Sequence, residues 1–163
     1  NQAAGEYVLD LMPDAVFTVA SLTQESSPDE TLGGGYDDGV RPFTEAGIQV
    51  LAMRDNPRFE FDMFKCLESN GFDVRACHVP RSQLLADVSP LEGLEARIPG
   101  VRVLDLSDQF CFDDACPGII GNVIVYKDHD HLNRTYMETT SRVLAERILA
   151  ATGWEGVTVP GTT

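Results

Sequence analysis

Ile48-Gln49-Val50-Leu51-Ala52-Met53-Arg54-Asp55-Asn56-Pro57 decides how this chain is read. An almost unbroken apolar run breaks off into a charged turn closed by proline. A strand covered on both faces reads this way, because neither side meets water and no polar alternation is needed. Two other runs share the pattern: Asp14-Ala15-Val16-Phe17-Thr18-Val19-Ala20 upstream and Val101-Arg102-Val103-Leu104-Asp105-Leu106 downstream. Helical patterns lie between and around them. Residues 2–12 read as a helix stopped before Pro13, and Asp37 to Ala46 as a short helix stopped by Gly47. Arg81 to Ile98 reads as a helix or helix pair interrupted at Pro90 and ended by Pro99-Gly100. A last helix runs to about Thr152. Thr135 and Glu138 form its expected capping box, and Met137, Leu144, Ile148 and Ala151 are its apolar positions.

Such alternation predicts an α/β domain with a parallel sheet and right-handed crossovers. At 163 residues the chain fits one core, expected over 1–152, with 153–163 as a tail. Three strands make a thin sheet, and the strand at 14–20 is an edge that needs a neighbour. Residues 21–39, rich in Ser, Asp, Glu and Gly, read as a flexible loop. Gly33-Gly34-Gly35 lacks the Lys-Ser/Thr and the immediately preceding strand that a phosphate cradle requires. Residues 58–80 form a long excursion bearing Phe59, Phe61, Phe64 and Phe72, a candidate cover for a site.

A formal charge of −14 repels phosphate backbones and anionic membranes, which argues against nucleic-acid binding. No apolar run is long enough to cross a bilayer, and no signal peptide opens the chain. It begins at Asn1 without an initiator Met, as a trimmed chain or a fragment would. The four cysteines fall into two local pairs, Cys66 with Cys77 and Cys111 with Cys116, and neither has the tight C-x-x-C spacing of zinc or redox sites. Short-loop disulfides fit this spacing and point to an oxidising, extracytoplasmic compartment; free buried thiols are the alternative.

Ligands of parallel sheets gather beyond the carboxyl ends of the strands. Three segments meet there: Ser21 to Thr23, Asp55-Asn56, and the loop Lys127-Asp128-His129-Asp130-His131. Within that loop, Asp128-x-x-His131 lets a carboxylate bond one imidazole nitrogen while the other faces a substrate or nucleophile. A hydrated acidic turn, with His131 packed on or capping the next helix, explains the same spacing. A metal site built from Asp128, His129, Asp130 and His131, with His78 as a distant helper, is a third reading. It is disfavoured because adjacent residues rarely converge on one ion.

Taken together, Cys111-Phe112-Asp113-Asp114-Ala115-Cys116, the apolar segment after it, and Tyr126-Lys127-Asp128-x-x-His131-Leu132 resemble the end of SGNH-type hydrolase domains. The likeness is greatest to those fused behind bacterial acyltransferase-3 membrane domains, the OafA-like O-acyltransferases. Met12-Pro13-Asp14 is similar to that family's entry into its third strand, Arg54-Asp55-Asn56-Pro57 to the turn ending its fourth, and Cys66 and Cys77 to the cysteine pair after that turn.

The resemblance implies a three-layer α/β/α, flavodoxin-like fold, of which this chain holds the last three of five strands. It implies a Ser-His-Asp triad with His131 as general base and Asp128 orienting it, no cofactor and no metal. The serine belongs to a Gly-Asp-Ser turn that this chain lacks, so a segment before Asn1 is expected to carry it. The family's oxyanion-hole asparagine is also missing after the first strand read here: either Ser21 or Thr23 is a substitute donor, or that donor is absent and both are plain loop residues, with Asp55 and Asn56 as candidate substrate wall. The implied activity is acyl transfer from a donor to hydroxyls of a cell-envelope glycan or glycolipid, or ester hydrolysis. Its implied place is the periplasmic or cell-envelope side, tethered to the plasma membrane through an acyltransferase-3 domain. A catalytically degenerate module that binds glycan or a partner protein is the alternative.

Overall fold

The computed structural model describes residues 2–155. From residue 156 on, the expected tail lies outside the described residues. The elements in chain order are α1 (Gln2–Leu11), β1 (Ala15–Val19), β2 (Ser21–Gln24), β3 (Ser27–Leu32), α2 (Tyr36–Glu45), β4 (Gln49–Met53), α3 (Met63–Ser69) and β5 (Val79–Pro80). After a 3-10 turn at Arg81–Gln83 come α4 (Leu94–Arg97), β6 (Val101–Leu104), α5 (Ser107–Phe110), β7 (Ala115–Cys116), β8 (Ile119–Ile120), β9 (Val123–Ile124) and α6 (Arg134–Thr152).

The three apolar runs form one parallel sheet in the order β1-β4-β6, with Val19 opposite Met53 and Met53 opposite Leu104. In the middle strand, side chains alternate between two buried faces. Val50 and Ala52 join Val40, Leu91, Leu94 and Ile98 on one side; Leu51 and Met53 join Phe59, Met63, Leu67, Tyr126 and Tyr136 on the other. Helices α2 and α4 therefore cover one face and α3 and α6 the other, giving the expected α/β/α layers. Burying each of these large apolar side chains contributes about 1.5–3 kcal/mol. By contrast, β1 is an open edge among the described residues, and its Phe17 and Val19 are 51% and 57% exposed.

Four expectations change. Residues 21–32 are an antiparallel hairpin, β2 with β3, and not a flexible loop. Its turn uses Ser26 at φ 44°, and Gly35, at φ 71°, precedes α2. The 81–98 stretch is a 3-10 turn, irregular chain and one four-residue helix. Its Leu84, Leu85, Leu91, Leu94 and Ile98 are all buried, so apolar residues at near-helical spacing serve a winding segment instead. Phe59 is fully buried and meets Tyr126 edge-on at 4.7 Å, so this part of the 58–80 excursion is core and not cover. The last helix is capped by Asn133, whose side chain accepts the Thr135 N–H; Glu138 instead pairs with Arg134 at 2.8 Å.

Candidate active site

The loop between β9 and α6 is anchored at its entry by Val125 and Tyr126, both fully buried. Two backbone bonds close it: Lys127 N–H to the His131 carbonyl at 2.8 Å, and Asn133 N–H to the Val125 carbonyl at 2.7 Å. The segment after β4 pins it from outside. Phe59 N–H donates to the His129 carbonyl at 2.8 Å, Met63 N–H to the Asp128 carbonyl at 3.3 Å, and Asn56 Nδ2 to the Asp130 carbonyl at 2.8 Å. Three consecutive residues, Asp128 to Asp130, are thus held by hydrogen bonds to chain some seventy positions earlier. Polar side chains can then project into solvent on a fixed backbone.

Asp128 and His131 meet in that frame. The imidazole Nδ1 lies 3.0 and 3.1 Å from the two Asp128 carboxylate oxygens, and the His131 side chain is 67% exposed. The Asp128 Oδ1 also accepts the backbone N–H of His131 at 2.8 Å and of Asp130 at 3.1 Å. The His131 N–H, foremost, holds the Asp128 carboxyl well below the usual carboxylate range; the Asp130 N–H and the His131 ring add to it. With an ionised carboxylate on Nδ1, the ring proton resides there and the Nε2 lone pair is left free, as a general base requires.

The other sequence-derived residues gather on the neighbouring hairpin and turn. Asp55 is buried. Its Oδ2 accepts from Thr23 Oγ1 at 2.9 Å and Thr23 N–H at 3.2 Å, and its own N–H donates to Ser21 Oγ at 2.9 Å. Ser21 Oγ in turn donates to Glu30 Oε1 at 2.8 Å, and Thr23 Oγ1 also donates to the Asn56 carbonyl at 2.8 Å. Both hydroxyl protons are therefore committed inside the protein, away from any oxyanion. Asn56, besides reaching Asp130, donates to the Pro57 carbonyl. Asp55 and Asn56, with Arg54, edge an apolar cavity of about 270 Å³ whose other walls include Phe17, Leu132, Met137 and Leu144.

Two arginines tie the site together through contacts that the sequence does not show. Arg58 reaches Asp130 Oδ2 at 2.8 Å and Asp55 Oδ2 at 3.3 Å, joining the turn to the histidine loop. Beneath them, Arg54 bonds Glu30 at 2.6 Å and Asp105 at 3.1 Å, both Arg54 and Glu30 being buried. An arginine directly after the Asn56-Pro57 turn was the signal available for Arg58. Its partner, 72 residues away, left none.

As for the metal reading, ligand atoms of Asp128, Asp130 and His131 lie within 4.8 Å of one another, and neither His129 nor His78 belongs to that group among the described residues. The guanidinium of Arg58 already bonds Asp130 there and opposes a cation. The cysteines form two disulfides, Cys66–Cys77 beside α3 and Cys111–Cys116 around the turn before β7.

The family described as SGNH domain (fused to AT3 domains) matches residues 1–146. The chain belongs to that family. Among solved structures, the periplasmic domain of a lipopolysaccharide acetyltransferase from Salmonella ser. Paratyphi A has a similar fold, with a TM-score of 0.60 at 14% identity. The match covers 91% of this SGNH chain and 62% of that one, so the chain spans less than two thirds of that domain. No curated protein matches. No helix among the described residues of the SGNH chain is long and apolar enough to cross a membrane.

Proposed function

We propose that this SGNH chain supplies the base and its orienting acid to an extracytoplasmic serine O-acyltransferase or esterase. The substrates would be an acyl donor and hydroxyls, or acyl esters, of a cell-envelope glycan or glycolipid. The observation that carries the reading is the Asp128–His131 contact at 3.0 Å, on an exposed ring at the end of the sheet where sites of this architecture are built. His131 Nε2 takes the proton of a serine hydroxyl as that oxygen attacks the acyl carbonyl. Asp128 holds the tautomer and stabilises the imidazolium, and the same proton goes to the leaving group. The acyl-serine is then released to a sugar hydroxyl or to water.

The serine comes from a segment preceding Asn1. The open edge of β1 supports this, because exposed Phe17 and Val19 suit a further parallel strand. The two disulfides support an oxidising compartment, and the family's fusion to AT3 domains supports tethering to such a membrane domain in the full-length protein. Residues 1–152 would be the domain and 153–163 a tail. Asp55 and Asn56 are proposed as substrate wall. Ser21 and Thr23 would stand behind them as support, with the oxyanion donor coming from the serine's own turn.

The test uses the protein extended at its N-terminus through the preceding strand-helix-strand. It is labelled with a fluorophosphonate probe and assayed with p-nitrophenyl acetate. His131→Ala is expected to lower turnover by at least about 10²-fold, the usual range for a positioned base, and Asp128→Asn to follow it. Equal labelling and turnover in parent and His131→Ala removes the triad. The second reading, a non-catalytic glycan- or protein-binding module, is favoured by one observation: the Ser21 and Thr23 hydroxyls are already bonded and cannot replace the missing asparagine. An extended protein without esterase activity that still retains glycan on an affinity column would establish it.

A further inference from the structure

Asp130 approaches the same imidazole nitrogen as Asp128. Its Oδ1 lies 2.9 Å from His131 Nδ1, as close as either Asp128 oxygen, yet the ring N–H is aimed at Asp128 and leaves this buried oxygen without a hydrogen bond. A buried carboxylate oxygen without a donor is costly unless something compensates it. Here the rest of the side chain is held firmly: Oδ2 by Arg58 at 2.8 Å, and the residue's backbone carbonyl by Asn56 Nδ2 at 2.8 Å. Arg58 is in turn fixed by Thr23 Oγ1 at 3.1 Å and by Asp55. The uncompensated oxygen therefore sits at contact distance from the His131 ring, which gains a positive charge when a proton is taken up, with the His129 ring farther off at 3.4 Å.

We propose that Asp130 is a second positioning carboxylate for His131, kept in place by Arg58, whose free Oδ1 is matched to the imidazolium and not to the neutral ring. This rests on the reading of His131 as the base. Its consequence is that the base is framed by two acids with different duties. Asp128 sets the tautomer through a hydrogen bond, and Asp130 favours the charge that appears once the serine proton has moved to Nε2. Arg58 stops Asp130 from swinging out to water. It also spares the second oxygen from competing for the ring. The charged and titratable groups around the ring are few. From its own loop come Asp128, His129 (3.4 Å from Asp130 Oδ1) and Asp130; from the turn after β4 comes Arg58; at one remove, at the start of α3, Asp62 pairs with Lys65.

The test needs no serine, so it is made on this chain as it stands. The three histidine rings are followed by 15N–1H correlation through a pH titration, with His131→Gln assigning the signal. In the parent, the Asp130 carboxyl carbon is expected to report the His131 midpoint in its own 13C shift. In Asp130→Asn, the His131 midpoint is expected to fall by about half a pH unit, the size of a close charge contact at a hydrated site, while the Nδ1–H tautomer persists. Asp130→Glu should restore part of it. An Asp130 carbon that stays flat through the His131 transition overturns the proposal, even if the Asn variant does not fold. So does a midpoint within 0.1 unit of the parent in a folded Asp130→Asn (~0.1 being the precision of such a titration). A positive titration beside an inactive extended protein would keep the second carboxylate and remove the catalytic reading, so the two fail separately.

Discussion

Two charged clusters lie at the carboxyl end of the same sheet, paired at nearly the same distances, and they meet water differently. In the inner one, Glu30, Arg54, Ser21 and Asp105 close on one another, with Arg54 and Glu30 out of contact with water. Burial pulls the Arg54 guanidinium down, but its bonds and charge contacts with Glu30 and then Asp105 outweigh this and leave it raised. In the outer one, Asp128, Asp130 and His131 pair at about the same lengths while the imidazole stays open. Water is the difference. A charge pair shut away from it fixes a fold and is expensive to break; one left beside it costs little and can exchange protons.

Breaking the inner cluster is therefore the largest effect expected. Arg54→Met leaves the Glu30 carboxylate buried opposite a thioether, and should cost about 3–5 kcal/mol of stability. A urea titration followed by circular dichroism measures it. The double variant Arg54→Met, Glu30→Met should recover most of the loss, since removing both charges removes the desolvation penalty with them. If the single variant unfolds at the parent midpoint, the inner cluster is not holding β3 to β4, and burial does not set it apart from the outer one.

The same difference explains what the sequence let us see. The strands β1, β4 and β6 were legible because each is a nearly continuous apolar run. Of the three, β4 alone is buried along almost its whole length, and β1 leaves Phe17 and Val19 51% and 57% exposed. Asp128 and His131 were legible because the pair is local. The β2–β3 hairpin was hidden because its alternation is inverted: Ser21 and Thr23 point inward and Leu22 outward, nearly half exposed. Buried hydroxyls of this kind are intelligible only with their acceptors, Glu30 and Asp55, and those lie 9 and 32 residues away. Arg58 and its pairing with Asp130 escaped for the same reason. Short-range patterns reveal secondary structure and local pairs; a polar network spread across the fold has no short-range signature.

A middle-sized effect tests where the outer cluster ends. The sequence put the start of α6 at a Thr135–Glu138 capping box, whereas Asn133 Oδ1 accepts the Thr135 N–H at 2.9 Å, two residues after the histidine. Asn133→Ala should cost about 1 kcal/mol, the usual value of an N-cap, and Thr135→Ala less than about half of that. Thermal unfolding of the two variants side by side decides it. The opposite ranking would restore the capping box and shift the helix start by two residues.

The smallest stability effect is expected where the largest functional one is. Asp128→Asn removes a carboxylate that sits at the surface, so near neutral pH it should cost at most about 1 kcal/mol, far below Arg54→Met. Its pH dependence has a definite sign. The folded state holds this carboxyl below its ordinary value of about 3.9, so its contribution is present above that pH. As pH falls below 3.9 toward the lower folded value, both states become protonated and the contribution disappears. Acid titrations of parent and variant should consequently converge at low pH and separate above about pH 4. A gap that widened on acidification would mean that the native turn prefers the protonated acid. Asp128 could not then be the anion that holds the proton on His131 Nδ1.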